Sequence, residues 1–203
     1  MAQMLAQAWA WSRVPKEKRP LTMVFVAAAG HFYKGHGALE FARAHPDLMR
    51  RVRALVTLEH LPAKEVRRGS PDGRLDAAAP NPAAPESCVP TGRSQPVHVY
   101  MPPDARLVAA VWKALETRPP PLAVTAEKPL LSVPLSDAAG YVAWSRERSS
   151  GYPICGGLPY VSWISAPLYL VDTGDTLDKV EKDKLSAVAA SVTEVLRFLH
   201  RLP

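Results

Sequence analysis

The stretch from Leu21 to Phe41, Leu-Thr-Met-Val-Phe-Val-Ala-Ala-Ala-Gly-His-Phe-Tyr-Lys-Gly-His-Gly-Ala-Leu-Glu-Phe, constrains the fold more than any other part of the chain. Leu21 to Ala28 is a nearly unbroken apolar run, β-branched and aromatic in its middle. That composition predicts a central strand covered on both faces. The run stops at Gly30-His31. Ligands of open α/β sheets gather at the carboxyl ends of strands, so His31 and His36 among Gly30, Gly35 and Gly37 mark a candidate site. The same residues also suit a tight strand-to-helix turn carrying surface histidines.

The flanking segments fit an α/β reading. Met4 to Val14 shows helical spacing in Met4, Leu5, Ala8, Trp9 and Trp11, which predicts a core-facing helix closed by Pro15 and Pro20. Gly37 to Ala44 predicts a short helix ended by His45-Pro46, and Asp47 to Val52 a further helical turn. Arg53 to Glu59 predicts a second apolar strand stopping on Glu59-His60. Strand, helix and strand in this order are the signature of a crossover unit in a parallel sheet.

Leu61 to Gln95 differs in kind, with prolines at 62, 71, 80, 82, 85 and 90 and few large apolar residues. It reads as a long Pro/Ala-rich loop inserted in one domain spanning residues 1–203, not as a linker. Beyond it the sequence predicts a strand over Val97 to Met101, a helix from the Asp104 cap to about Thr117, a strand at Leu130 to Val133 and a helix over Asp137 to Glu147. A strand over Tyr160 to Ser165 follows, then Leu168 to Val171 and the acceptor-rich turn Asp172-Thr173-Gly174-Asp175-Thr176. An amphipathic helix over Leu177 to Leu199 closes the chain.

A chain of 203 residues with 47% hydrophobic composition can bury one full core. No apolar run approaches the roughly 20 residues needed to span a bilayer, and Met1 to Trp11 lacks the basic segment and cleavage site of a secretory signal. A cytoplasmic protein without membrane contact is therefore expected. The two cysteines, Cys88 and Cys155, have no Cys-x-x-Cys spacing and read as free thiols. A formal net charge of +6 raises an anionic partner, but the basic groups Arg13–Arg19, Arg50–Arg53 and Lys64–Arg68 are interrupted and lack interleaved aromatics. Nucleic acid is not the expected partner.

Polar groups suited to chemistry stand at three predicted strand or loop ends: Gly30-His31, Glu59-His60, and Asp172 with Asp175. Imidazoles and carboxylates at neighbouring strand ends are a reasonable zinc ligand set. His31, Glu59 and Asp172 are the candidates, with His36 or His60 as a fourth group in a mononuclear site.

The order of these parts resembles metallopeptidase family twenty-eight, the zinc aminopeptidases and glutamate carboxypeptidase relatives. The matching words are Val24-Phe25-Val26-Ala27, Gly30, Gly37-Ala38 with Phe41-Ala42, the Ala54 to Glu59 strand, and Asp175-Thr176-Leu177-Asp178-Lys179-Val180, spread over Met4 to Leu199. The resemblance implies a three-layer α/β/α fold with a mixed, mostly parallel central sheet, zinc-exopeptidase-like and shortened at the N-terminus. It also implies a hydrolase using two zincs about 3.5 Å apart and a glutamate base to cleave peptides.

The chain departs from that recipe at most positions. The family's first histidine ligand and bridging aspartate belong upstream of the opening helix. Gly30-His31-Phe32 stands where Gly-Glu-Glu would supply the base and a ligand, so His31 takes the place of the general base. Glu59 stands for an aspartate ligand, and Asp172 for a histidine ligand. The resemblance thus implies a domain with weak or absent zinc binding and impaired or no aminopeptidase activity, a pseudoenzyme. The other readings are a binding or assembly module using the strand-end cleft with Tyr152 and Tyr160 for a peptide or small molecule, and the downstream part of a longer active peptidase. Oligomeric state leaves no mark on the sequence.

Overall fold

The computed structural model describes residues 1–19, 21–68, 88–127, 137–148, 158–170 and 175–201. Its order is α1 (Ala2–Ser12), α2 (His36–Ala44), α3 (Pro46–Met49), β1 (Leu55–Glu59), β2 (Lys64–Arg68), β3 (Cys88–Ser94), β4 (Val97–Tyr100), α4 (Ala105–Thr117), β5 (Val124–Glu127), α5 (Asp137–Arg148), β6 (Tyr160–Ile164) and α6 (Leu185–Leu199).

Four strands form a mixed sheet in the order β1-β6-β4-β5. β1 runs parallel to β6 with Leu55 opposite Tyr160 and Glu59 opposite Ile164, β6 runs antiparallel to β4, and β4 runs parallel to β5. Period-two side-chain alternation sends residues to opposite faces. Val97, Val99, Val161 and Trp163 pack with Leu107 and Val111 of α4 and Val188, Val192 and Val195 of α6. On the other face Tyr160 and Leu55 meet Ala138 and Val142 of α5, while α2 packs against α5. The result is helix, sheet, helix, the α/β architecture expected from the sequence.

α4 begins where the sequence places it, because the Asp104 carboxylate accepts hydrogen bonds from the amides of Arg106 at 2.9 Å and Leu107 at 3.2 Å. The Leu107 and Arg106 amides hold its carboxyl below the usual aspartate range, because their hydrogen bonds favour the charged form. The buried side of α5 is likewise as expected, with Tyr141, Val142 and Trp144 inside.

Several elements differ from the sequence reading. Leu21 to Ala28 is not a strand: it carries no sheet pairing, Val24 is 51% exposed, and β1 forms the edge of the sheet in its place. α1 buries Gln3, Gln7 and Trp11 and leaves Leu5 and Trp9 exposed. It docks by amide hydrogen bonds, Gln3 Nε2 to the Leu185 carbonyl at 2.9 Å and Gln7 Nε2 to the Ala189 carbonyl at 2.7 Å. Those glutamine contacts select the face, because α6 already spends its apolar stripe on the sheet. The closing helix starts at Leu185, not Leu177, after two single 3-10 turns at Leu177–Lys179 and Lys182–Lys184.

The ends of the predicted 61–95 loop form a ribbon, β2 paired antiparallel with β3, and Ala63 and Val66 pack on Tyr169. The strand expected at Leu130 to Val133 lies outside the described residues, whereas β5 occupies Val124–Glu127 just before them. Leu168 to Leu170 is a turn. Among the described residues no helix is long and apolar enough to cross a membrane.

Candidate metal centre

Glu59 is the last residue of β1 and is buried, so its carboxylate needs compensation. Part of that compensation comes from α5, whose first main-chain amide, that of Asp137, donates to Glu59 Oε1 at 3.1 Å. A helix start is a favourable place for an anion because its first amides lack intrahelical partners. The other carboxylate oxygen, Oε2, lies 3.1 Å from His31 Nδ1. His31 Nδ1 is in turn 3.8 Å from Asp137 Oδ1.

One ligand atom from each of His31, Glu59 and Asp137 falls within 4.8 Å of the other two. Local backbone makes this convergence possible. Gly30 has φ +76°, and its carbonyl accepts from the amides of Tyr33 and His36, which folds His31 back over the end of β1. Gly37 sits so close to Ala29 that a Cβ there would lie 2.2 Å from the Ala29 oxygen. Gly140 does the same for α5: a Cβ would lie 2.1 Å from the Gly35 oxygen, so only glycine lets α5 approach α2 and bring Asp137 to His31.

Electrostatics at the centre pull in two directions. Burial raises the Asp137 carboxyl above the usual aspartate range, partly offset by His31 and His60. Burial also lowers the His60 imidazole, against the hydrogen bond it donates to the Ser165 carbonyl. His60 is left-handed at φ 54°, which for a non-glycine residue is a strained conformation that clusters at functional sites. Its Nδ1 lies 3.0 Å from the Ser165 carbonyl. A carbonyl only accepts, so Nδ1 carries the proton and Nε2 carries the lone pair. The His60 ring stands edge-on to His31 with centroids 5.0 Å apart.

The sequence reading therefore has two of its three metal candidates together, His31 and Glu59. Asp172 lies outside the described residues. His36 is exposed at the start of α2, so His60 is the histidine that adjoins the centre. Tyr160, expected as an exposed contact, is buried in the core at 2% exposure, and Tyr152 lies outside the described residues. Sequence reasoning missed Asp137. It is 78 residues from Glu59, and the available signal was an acidic residue at the start of a predicted helix.

The donor set fits a divalent cation. His31 Nδ1 and Asp137 Oδ1 are buried and make no hydrogen bond among the described residues, an arrangement that a native interior rarely tolerates without a further partner. One imidazole and two carboxylates balance a dication and match zinc's preference for nitrogen and oxygen ligands with a position left open. No family model, no curated protein and no solved structure matches this chain, so the geometry stands by itself.

Proposed function

We propose that this chain is a mononuclear zinc-binding domain of the zinc-exopeptidase-like kind, with its peptide hydrolysis impaired or lost. The observation that carries the reading is the convergence of ligand atoms from His31, Glu59 and Asp137 within 4.8 Å at the carboxyl end of a sheet strand. A bound zinc supplies Lewis acidity toward a carbonyl substrate. His31 holds one ligand atom over Glu59, α5 orients the Glu59 carboxylate through the Asp137 amide, and His60 presents Nε2 beside them. The resemblance to metallopeptidase family twenty-eight agrees with a site at this strand end. The ligand set is one for a single ion, because Phe32 stands where that family has a glutamate ligand and His31 where it has its glutamate base.

Metal analysis after dialysis against zinc, paired with hydrolysis of aminoacyl-anilides, tests this. One zinc per chain, lost in Glu59→Gln and in His31→Ala, with no turnover, is the expected result. Two zincs per chain with measurable turnover would sink it, and so would zinc-free protein after dialysis. A second reading, a peptide-binding module at the same cleft, is favoured by Phe32 and Tyr33, 58% and 81% exposed beside His31. Peptide binding that is indifferent to zinc removal would select it.

A further inference from the structure

β1 is an edge strand whose open side is not finished by any described strand. The Leu55 amide bonds the Pro159 carbonyl at 2.9 Å and the Glu59 carbonyl accepts from Ser165 at 3.2 Å, so residues 55, 57 and 59 turn their main chain to β6. In a parallel ladder the alternate residues turn theirs the other way, and here those are Ala54, Val56 and Leu58. They face a cavity of about 560 Å3 that runs along the sheet edge. Val192 of α6 closes it on the side of one helical layer and Tyr141 of α5 on the other, while Met23 and Val26 line its outer wall. A slot at a sheet edge, roofed by helices of both layers, has the shape of one further strand.

We propose that Leu21 to Ala28 is a strap that closes into this slot as a fifth strand parallel to β1, and that its closure steadies His31 in the place it already holds over Glu59. Four observations select this occupant. The segment already walls the slot along its length. Its apolar run, without alternation, suits a strand buried on both faces, yet Val24 and Phe25, which line the slot, stand 51% and 36% exposed. Its far end is already pinned where a parallel strand would finish, by the Gly37 amide on the Ala29 carbonyl at 3.0 Å and by His31 on Glu59. Strap, α2 and β1 then make the crossover connection that parallel neighbours require. A tethered segment also outcompetes a separate peptide by its effective concentration. Closure itself stands independently of the zinc reading. The coupling of closure to the metal rests on that reading.

Hydrogen exchange of the full chain, read by mass spectrometry on peptides covering 21–28, is the test, with and without zinc. Alternate amides within 22–28, those turned to β1, are expected to exchange about a hundredfold or more below their unprotected rate. Val24→Cys combined with Ala54→Cys, Val56→Cys or Leu58→Cys, in a Cys88→Ser, Cys155→Ser background, is expected to cross-link on oxidation, since a disulfide forms only when Cα atoms come within about 7 Å. Unprotected exchange overturns the proposal whether or not a cross-link can be trapped. So does protection of 54–58 that appears only when an apolar peptide is added. Protection in a chain that binds no zinc leaves the strap standing and removes the metal reading. Zinc bound to a chain with unprotected 22–28 does the reverse. Zinc that slows the exchange of 22–28 a further tenfold establishes the coupling.

Discussion

Gly140→Ala sets two effects of known size against each other. Replacing glycine by alanine inside an exposed helix gains up to about 1 kcal/mol of helix propensity. Gly140, however, faces α2, where the added methyl would lie 2.1 Å from the Gly35 oxygen, 2.7 Å from the Leu39 nitrogen and 3.0 Å from the Ala38 Cβ. Two of these obstacles are backbone atoms that cannot rotate away. Relief requires α5 to retreat by about 1 Å, to the separation at which heavy atoms cease to repel. Overpacking of this kind costs about 1–3 kcal/mol or more, which exceeds the propensity gain. The net expectation is a loss of about 1–2 kcal/mol in urea unfolding followed by tryptophan fluorescence. The displacement also carries Asp137 away from His31 and Glu59, so under the proposed zinc reading the affinity should fall about tenfold or more, as it does when a ligand's support is disturbed. A variant as stable as the parent, or more so, would show that α2 and α5 do not meet at Gly140 and would refute the argument that places Asp137 at the centre.

Trp163 on β6 is fully buried, and Trp163→Ala should cost about 3–5 kcal/mol by the same urea assay. Its Nε1 is buried without a hydrogen bond among the described residues, so Trp163→Phe, which removes that orphaned donor, should cost no more than about 1–2 kcal/mol. Gln7→Leu should stay within about 1 kcal/mol of the parent. Thr193 Oγ1 bonds the Ala189 carbonyl at 2.8 Å as well as Gln7 Oε1 at 3.1 Å, so no partner is stranded by the change. A loss as large as that of Gln7→Ala would contradict this. Asp104→Ala should lower the thermal midpoint, with Asp104→Asn recovering most of it. Because the folded carboxyl titrates below the unfolded value of 3.8, the cap's stabilisation is present above that pH and is lost as pH falls through the depressed folded value. The difference between parent and Asp104→Ala should therefore vanish in strong acid, which a pH series of melting curves would show.

Much of the architecture is legible in local sequence because local physics dictates it. Asp104 begins α4 by offering its carboxylate to two orphaned amides, and that arrangement needs nothing from the rest of the chain. The apolar spacing of α6 and the β-branched run of β1 likewise carry their own instructions. Where a residue's fate depends on a distant partner, the periodicity misleads. α1 offers an apolar Leu5, Trp9 face and a Gln3, Gln7, Trp11 face, and it is the second that is buried, because α6 presents carbonyls there. The run Leu21 to Ala28 has every local mark of a strand, yet strand formation needs a ladder partner at hydrogen-bonding distance, and a cavity intervenes.

By itself the sequence determined the α/β class, most of the helices and strands, and the two residues His31 and Glu59 that stand where strand ends collect ligands. Only the tertiary structure decided that Asp137 is the third member of the centre and that His60, not His36, stands beside it. The reason is geometric. A helix start and a strand end 78 residues apart are brought to hydrogen-bonding distance by helix packing across Gly140, and that proximity is written in no local pattern.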